Sequence, residues 1–232
     1  MASAQTNRNS ALKKLLSTGI VIFVAMVALP VFAEAPEGSF YLDGGTTEIG
    51  LILCHGRGAY PTWKVVDPLR KKINEQLGYH TLSLQMPNEN KHWKEYAKDF
   101  PEAFSRIQDA IHFLKEEKGV NKVFLMGHSM GSRMASAYLK ESRDQSVNGL
   151  IIAGCQNNGG TLFNCMENVN KLKLPILDIW GGEDERDSNA AREREKLQSS
   201  TYTQKEISGA NHKFDGYENL FVSMVSSWLE KQ

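Results

Sequence analysis

Apolar runs of strand length alternate with amphipathic segments of helical length along most of this 232-residue chain. The strand-like runs cover 49–56, 79–87, 121–127, 147–155 and 174–182, with a more polar run at 201–209. The helical segments cover 63–78, 100–119, 132–143, 187–200 and the end of the chain. A leading strand and turn are expected over 34–48. The alternation predicts an α/β fold, with a mostly parallel sheet covered by helices on both faces.

Residues 1–33 differ from the rest in composition. Residues 1–14 hold three basic residues and no acidic one, and 15–33 are apolar and end on the small Ala33. This order is typical of a cleaved secretory signal peptide, and it predicts a periplasmic or secreted protein with no stable membrane span in its mature chain. The alternative is an uncleaved membrane anchor, against which Pro30 argues. The remaining residues, 34–232, are long enough for one domain.

Charge excludes one class of partner. Removing the three basic residues of 1–33 leaves 24 of 27 basic residues against 27 acidic ones, a net charge near −3. The basic residues do not cluster, so no nucleic-acid partner is expected. Neither spacing nor neighbouring histidines indicate a metal site, and no motif indicates a cofactor or an oligomeric state.

Three cysteines are too few for a disulfide-based scaffold. Cys155 and Cys165 both follow the run 148–154, and in an exported protein we predict a single bridge between them. Cys54 lies inside an apolar run, which predicts a buried free thiol.

One serine stands between two glycines in a short motif, Gly127-His128-Ser129-Met130-Gly131. An apolar strand precedes the motif and a helix follows it, so Ser129 is placed at a sharp strand-to-helix turn. Such a turn leaves little room for Cβ atoms on either side, which explains both glycines. We therefore predict that Ser129 is a nucleophile.

A nucleophilic serine needs a base, and the base needs an orienting carboxylate. His212 follows the last strand and is the predicted base. The other five histidines lie within elements, in an earlier loop, in a polar stretch or beside the nucleophile: His55, His80, His92, His112 and His128.

Three aspartates follow or lie within the 174–182 strand. The carboxylate should lie just beyond the strand, and we favour Asp184, which is in the loop. Asp178 is placed within the strand. Asp187 is the remaining alternative, and it ranks below Asp184 because it is expected to cap the following helix, which is a structural role.

The order Ser129, Asp184, His212 on an alternating α/β chain resembles the α/β-hydrolase superfamily, and Cys54-His55-Gly56-Arg57-Gly58 resembles its early His-Gly element. The resemblance spans essentially all of 34–232. It implies an α/β-hydrolase domain whose oxyanion hole is formed by the backbone amides of Arg57 and Met130.

The expected function is that of an exported serine hydrolase of the carboxylesterase type, acting on a small-molecule ester. A thioester or an amide would be served by the same residues. The alternative is a non-catalytic binding or envelope-maintenance protein with the same fold.

The connection between the fifth and sixth predicted strands, 156–173, is too short for a large helical cap. An open site that prefers short, soluble acyl esters is therefore expected. One short helix over the groove is possible, from Leu162, Phe163, Met166 and Val169. Three loop aromatics either line the groove or pack in the core or on the surface without a role in binding: Tyr60, Trp63 and Trp93.

Overall fold

The computed structural model describes residues 34–89 and 91–232, so the predicted signal peptide, 1–33, lies outside the described residues. These described residues form seven strands: β1 (Phe40–Leu42), β2 (Ile49–Cys54), β3 (His80–Leu84), β4 (Lys122–His128), β5 (Val147–Ala153), β6 (Ile176–Gly181) and β7 (Tyr202–Ile207). Six α-helices accompany them: α1 (Val66–Leu77), α2 (Phe100–His112), α3 (Met130–Ser142), α4 (Cys165–Val169), α5 (Glu185–Arg194) and α6 (Glu218–Leu229). Within these described ranges, no helix has both the length and the apolar character needed to cross a membrane.

The strands form one sheet in the order β1-β3-β2-β4-β5-β6-β7, and only β1 runs antiparallel to its neighbour. This confirms the predicted mostly parallel α/β architecture. The chain leaves β2 toward β3 on one side and returns to β4 on the other. Loops at the carboxyl ends of β2 and β4 therefore lie side by side at the switch point of the sheet, where open α/β sheets bind ligands.

Helices cover both faces of the sheet. Within β2, Ile52 and Cys54 belong to the core that packs against α2 and α3, whereas Leu51 and Leu53 belong to the core that packs against α1 and α6. Successive strand side chains point to opposite faces, so a strand buried on both faces must be apolar throughout. The uninterrupted apolar runs in the sequence have this cause.

A buried ion pair joins α5 to the sheet. The Arg194 guanidinium donates two hydrogen bonds of 2.9 Å to the carboxylate of Asp178, and both side chains are fully buried. The same guanidinium donates to the Cys155 carbonyl at 2.6 Å, and the Tyr202 hydroxyl donates to Asp178 at 2.9 Å. The strand aspartate is thus structural. α5 ends at Arg194 and a 3-10 turn follows at Glu195–Leu197, so the helical segment is shorter than the predicted 187–200 range at its C-terminal end.

Cys155 and Cys165 form a disulfide, as predicted, with Cα atoms 6.1 Å apart. The bridge ties the end of β5 to the first residue of α4. Cys54 is a buried free cysteine, which confirms the second prediction for the cysteines.

The first turn of α3 passes very close to the end of β2. A Cβ atom on Gly131 would lie 2.6 Å from the His55 carbonyl oxygen and closer still to that of Cys54. Both obstacles are backbone atoms, which cannot move aside as a flexible side chain would. A glycine at this position therefore decides how closely the helix after Ser129 approaches β2.

We expect Gly131→Ala to lower the free energy of unfolding by about 2 kcal/mol or more, because the added methyl overpacks a backbone contact. Urea unfolding followed by circular dichroism measures the change. Gly160→Ala is the matched control, because no atom lies within 4 Å of a Cβ atom built there. Equal stability of the two variants would contradict the close approach.

Candidate active site

Ser129 occupies a strained turn between β4 and α3. Its φ is 56° and its ψ is −116°, a conformation that costs a side-chain-bearing residue about 1–3 kcal/mol. The Ser129 amide donates to the Ala153 carbonyl at 2.8 Å. Ser132 supports the same turn, because its hydroxyl lies 2.5 Å from the Gly127 carbonyl and accepts from the Ala153 amide at 3.0 Å. These bonds hold the Ser129 side chain at the carboxyl edge of the sheet.

His212, in the loop between β7 and α6, contacts Ser129 and an aspartate. Its Nε2 lies 2.9 Å from Ser129 Oγ, and its Nδ1 lies 2.5 Å from Oδ2 of Asp187. The Asp187 side chain is fully buried, whereas that of His212 is 21% exposed. The ring is therefore partly open to solvent, while its carboxylate partner is shielded from water.

The carboxylate that holds His212 is Asp187, so the prediction of Asp184 for this position is wrong. Asp184 caps α5, accepting from the amides of Arg186 and Asp187 at 3.0 and 3.1 Å. Burial acts to raise the pKa of Asp184, but the Arg186 guanidinium and the Asp187 amide bound to it hold that pKa below its ordinary value. Because the helix begins at Glu185, Asp187 lies in its first turn and points inward.

Gly154 permits the approach of Asp187 to His212. It has a φ of +58°, and a Cβ atom there would lie 2.9 Å from both Asp187 Oδ2 and His212 Cε1. A side chain at this position would have to displace Asp187 or His212. No sequence motif marks this requirement.

The loop after β2 lies against the serine. A Cβ atom on Gly56 would be 3.0 Å from Ser129 Cβ. Among the described residues, neither the Arg57 amide nor the Met130 amide finds an acceptor, so both donors are available to a ligand. The Arg57 side chain is directed elsewhere, since its guanidinium donates to the Lys91 carbonyl at 3.3 Å.

His55 controls the orientation of this loop. Its Nε2 accepts from the Met86 amide at 3.0 Å, so the proton lies on Nδ1, which donates to the Gly56 carbonyl at 2.9 Å. The Gly56 carbonyl and the Arg57 N–H belong to one planar peptide unit. Holding the carbonyl therefore also fixes the direction of the Arg57 amide.

Two buried histidines are neutral near pH 7. Burial lowers the pKa of His55 to about 4 and that of His128 to about 3. His128 Nε2 donates to the His212 carbonyl at 2.9 Å, which positions the backbone of the His212 loop. In the sequence His128 is marked only by its place beside the nucleophile, and no sequence signal indicates this supporting contact.

The ligand atoms of Asp184, Asp187 and His212 lie within 4.8 Å of one another, an arrangement that merits a test for metal binding. Both ring nitrogens of His212 already face Asp187 and Ser129. Asp184 is occupied by the start of α5 and by Arg186. The three side chains thus have other partners for the atoms that a metal would need.

The aromatic residues near the site belong to two groups. Trp93 and Phe163 pack edge to face at 5.3 Å, and Phe163 is buried in the core together with Val169. Tyr60 and Trp63 pack edge to face at 5.5 Å, and Tyr60 is 48% exposed. The segment containing α4 therefore packs partly into the core, and the exposed aromatic surface lies in the loop before α1.

Comparison with protein families gives one match. Residues 91–231 match the model of a family described as "Protein of unknown function (DUF3530)". The chain belongs to this family. The matched segment contains Ser129, Asp187 and His212, whereas the His55–Arg57 loop precedes it. No curated protein matches the chain in sequence.

Solved structures with similar folds are numerous. Est1E from Butyrivibrio proteoclasticus, solved with ferulic acid bound, has a TM-score of 0.69 at 15% identity, covering 88% of this chain and 99% of its own. A dienelactone hydrolase from Anabaena variabilis has a TM-score of 0.69 at 18% identity, with coverages of 87% and 95%. A serine hydrolase without a lid from Xanthomonas campestris has a TM-score of 0.61 at 12% identity, with coverages of 81% and 83%. The chain thus has the α/β-hydrolase fold, as its sequence predicted.

The buried, neutral His55 should make folding sensitive to mild acid. Its pKa in the folded protein, about 4, lies below the ordinary 6.5, so between these pH values the unfolded chain binds a proton that the folded chain does not. The free energy of unfolding therefore decreases as the pH falls through this window. Between pH 7 and pH 5 the His55 contribution amounts to about 1–2 kcal/mol.

Urea unfolding at pH 7 and pH 5 checks this contribution in the unaltered protein and in His55→Gln, which cannot take up the proton. The variant is expected to lose less stability between the two pH values. His112→Gln, at an exposed histidine, is the control and should behave like the unaltered protein. The same pH dependence in His55→Gln and the unaltered protein would refute the assignment.

Proposed function

We propose that this protein is a serine hydrolase that cleaves carboxylic esters of small molecules through an acyl-enzyme on Ser129. The observation that carries the proposal is the continuous path of hydrogen-bonding contacts from buried Asp187 through His212 to Ser129 on its strained turn. Thioesters and amides are cleaved by the same chemistry and belong to the same proposed substrate class.

In the first half of the reaction, Ser129 Oγ attacks the carbonyl carbon of the ester while His212 Nε2 takes the hydroxyl proton. Asp187 stays ionised and holds the Nδ1–H of the imidazolium that forms. The bond to the alcohol then breaks, and His212 returns the proton to the departing oxygen. Water repeats the sequence on the acyl-enzyme, which releases the acid and restores Ser129.

We assign the amides of Arg57 and Met130 to the oxyanion hole. Two features support the assignment: both amides lack acceptors among the described residues, and the loop after β2 lies against Ser129. Donors in such positions stabilise the negative charge of the tetrahedral intermediate by about 3–4 kcal/mol each. His55 is then a positioning residue for one of the two donors.

We also propose that the protein acts outside the cytoplasm. The basic, apolar and small-residue order of residues 1–33 supports export. The disulfide between Cys155 and Cys165 supports it independently, because such bonds persist in oxidising compartments.

Replacing Asp187 and Asp184 separately tests the assignment of the acid. Asp187→Asn is expected to lower kcat by about 10⁴-fold, because the amide favours the wrong tautomer of His212. Asp184→Asn should retain activity within about 10-fold, since asparagine caps helices as well as aspartate. Ser129→Ala and His212→Ala should be folded and nearly inactive.

The measurements are hydrolysis of p-nitrophenyl acetate and labelling by a fluorophosphonate, which reacts with activated serines. Retention of activity in Asp187→Asn with loss in Asp184→Asn would reverse the assignment of the acid. If the unaltered protein neither labels nor hydrolyses esters, thioesters or anilides, the non-catalytic binding function replaces the proposal.

The short connection between β5 and β6 supports an open site. It folds into the single five-residue helix α4, and the Cys155–Cys165 bridge holds the start of that helix against the end of β5. Little chain remains for a cap that would shield a long acyl group from water. One structure of the same fold is described as lacking a lid, which is consistent with this proposal.

We therefore expect kcat/KM to reach its maximum at short acyl chains. Each methylene contributes about 0.8 kcal/mol only while it can be buried, and an open groove buries few of them. Hydrolysis of p-nitrophenyl esters from acetate to palmitate, below and above the micellar concentration, measures this. A maximum at long chains, or a jump in rate when micelles form, would contradict the open site.

A further inference from the structure

Arg133 lies on α3, one helical turn after Ser129, and it is a buried cation that has no carboxylate partner among the described residues. The residue is 5% exposed, and its guanidinium lies over the rings of Trp93 and Phe163 at 5.4 and 5.9 Å. Its hydrogen bonds within the described part of the chain go to amide oxygens: the backbone and side-chain oxygens of Asn158, and Gln156 Oε1. A guanidinium taken out of water is costly unless a charge elsewhere compensates for it.

The negative charge of Asp187 acts on Arg133. Burial lowers the pKa of Arg133 to about 10, and the negative charge of Asp187 acts against that decrease. The guanidinium therefore stays charged at neutral pH. Arg133 is in this way coupled electrostatically to the carboxylate that holds His212.

Gln156 connects the two charges. Its Oε1 accepts from the Arg133 guanidinium at 3.3 Å, and its Nε2 donates to Asp187 Oδ1 at 3.0 Å. The other oxygen of Asp187 contacts His212. A single polar path thus runs from Arg133 through Gln156, Asp187 and His212 to Ser129.

The side chain of Gln156 is anchored on both sides. It directly follows Cys155 of the disulfide, and its carbonyl accepts from the Cys165 amide at 3.3 Å. Its two side-chain contacts leave the amide group little freedom to turn. Gln156 can therefore act as a fixed donor toward Asp187.

We propose that Gln156 and Arg133 are positioning residues that orient the Asp187 carboxylate and weaken its hold on the His212 proton. The inference rests on the proposed function. With Oδ1 held by Gln156 and Oδ2 by His212, the carboxylate cannot rotate away from the ring. The nearby cation and the N–H donor also make the potential at His212 less negative, which disfavours its protonated form.

Other groups face Asp187 and are shared by the unaltered protein and the variants described below. They come from three elements: His128 from β4, and Asp184 and Arg186 from the start of α5, with His212 from the loop after β7. His128 stays neutral near pH 7, and Asp184 is paired with Arg186. Among these described groups and Arg133, Arg133 alone is linked to Asp187 through a side-chain amide, that of Gln156.

Titration of His212 by NMR in the full chain labelled with ¹³C-histidine tests the proposal without any substrate. The His212 signal is identified by its loss in His212→Gln. We expect Gln156→Leu to raise the pH midpoint of this titration by about half a unit or more, because the carboxylate loses a donor and its link to the cation. Gln156→Glu keeps the contact with Arg133 but replaces the donor by a negative charge, so its midpoint should rise further.

Arg133→Met should raise the midpoint of the His212 titration as well. In the double variant Arg133→Met/Gln156→Leu, the midpoint should rise by less than the sum of the two single shifts, because both residues act through one path. Asn157→Ala is the control for loosening of the loop. Asn157 bonds to Glu193 and Arg194 of α5 but not to Asp187. Its midpoint should equal that of the unaltered protein.

The reaction provides a second readout. The acid limb of the pH profile of fluorophosphonate labelling should move to higher pH in Gln156→Leu. In the hydrolysis of p-nitrophenyl acetate, the same variant should lose kcat, and its KM should not rise. Unchanged midpoints in folded Gln156→Leu and Gln156→Glu, or an equal shift in Asn157→Ala, would overturn the proposal. Failure of the unaltered protein to label would refute the hydrolase function instead, and the titration would still report on the network.

Discussion

The close approach of three backbone segments around Ser129 is the constraint on which the rest of the site depends. These segments are the end of β2, the end of β4 and the first turn of α3. They lie so close together that there is no room for a Cβ atom at Gly127 or Gly131, and a Cβ atom at Gly56 would fit only if neighbouring atoms moved. That contact holds Ser129 in its strained conformation and brings the loop after β2 against its side chain. The strain is maintained by the surrounding sheet, because the turn alone would relax.

The polar groups around this turn divide according to how their charges are balanced. Arg194 is matched by the carboxylate of Asp178 in a closed, fully buried pair, and it serves the fold. In the part of the chain that the structure describes, Arg133 is bound by amide oxygens and not by a carboxylate, so its charge is left to act on Asp187 through Gln156. Two buried arginines of similar burial thus have different consequences, and the difference lies in the acceptor that each one meets.

Much of the fold could be predicted because it follows from local pattern. The apolar runs of β2 and β4 are continuous since both faces of each strand are covered, and the glycines beside Ser129 mark a turn that tolerates no side chain. His212 was found from its place after the last strand, since parallel strands bring their carboxyl ends to one edge. These inferences need only the chain order and the sheet geometry that the alternation implies.

The acid could not be predicted in the same way. Asp184 and Asp187 are three residues apart, and both lie beyond the same strand, so the choice depends on where α5 begins and which side of its first turn faces the sheet. The path through Gln156 is less visible still, because it joins residues from α3, the β5–α4 connection and α5 that share no local pattern. The sequence by itself determined the α/β class, the strained serine, the histidine and the cysteine pair, since each follows from local spacing and strand order. Only the tertiary structure decided which carboxylate holds His212 and which buried cation acts on it, because those contacts depend on angstrom-scale packing between segments distant in sequence.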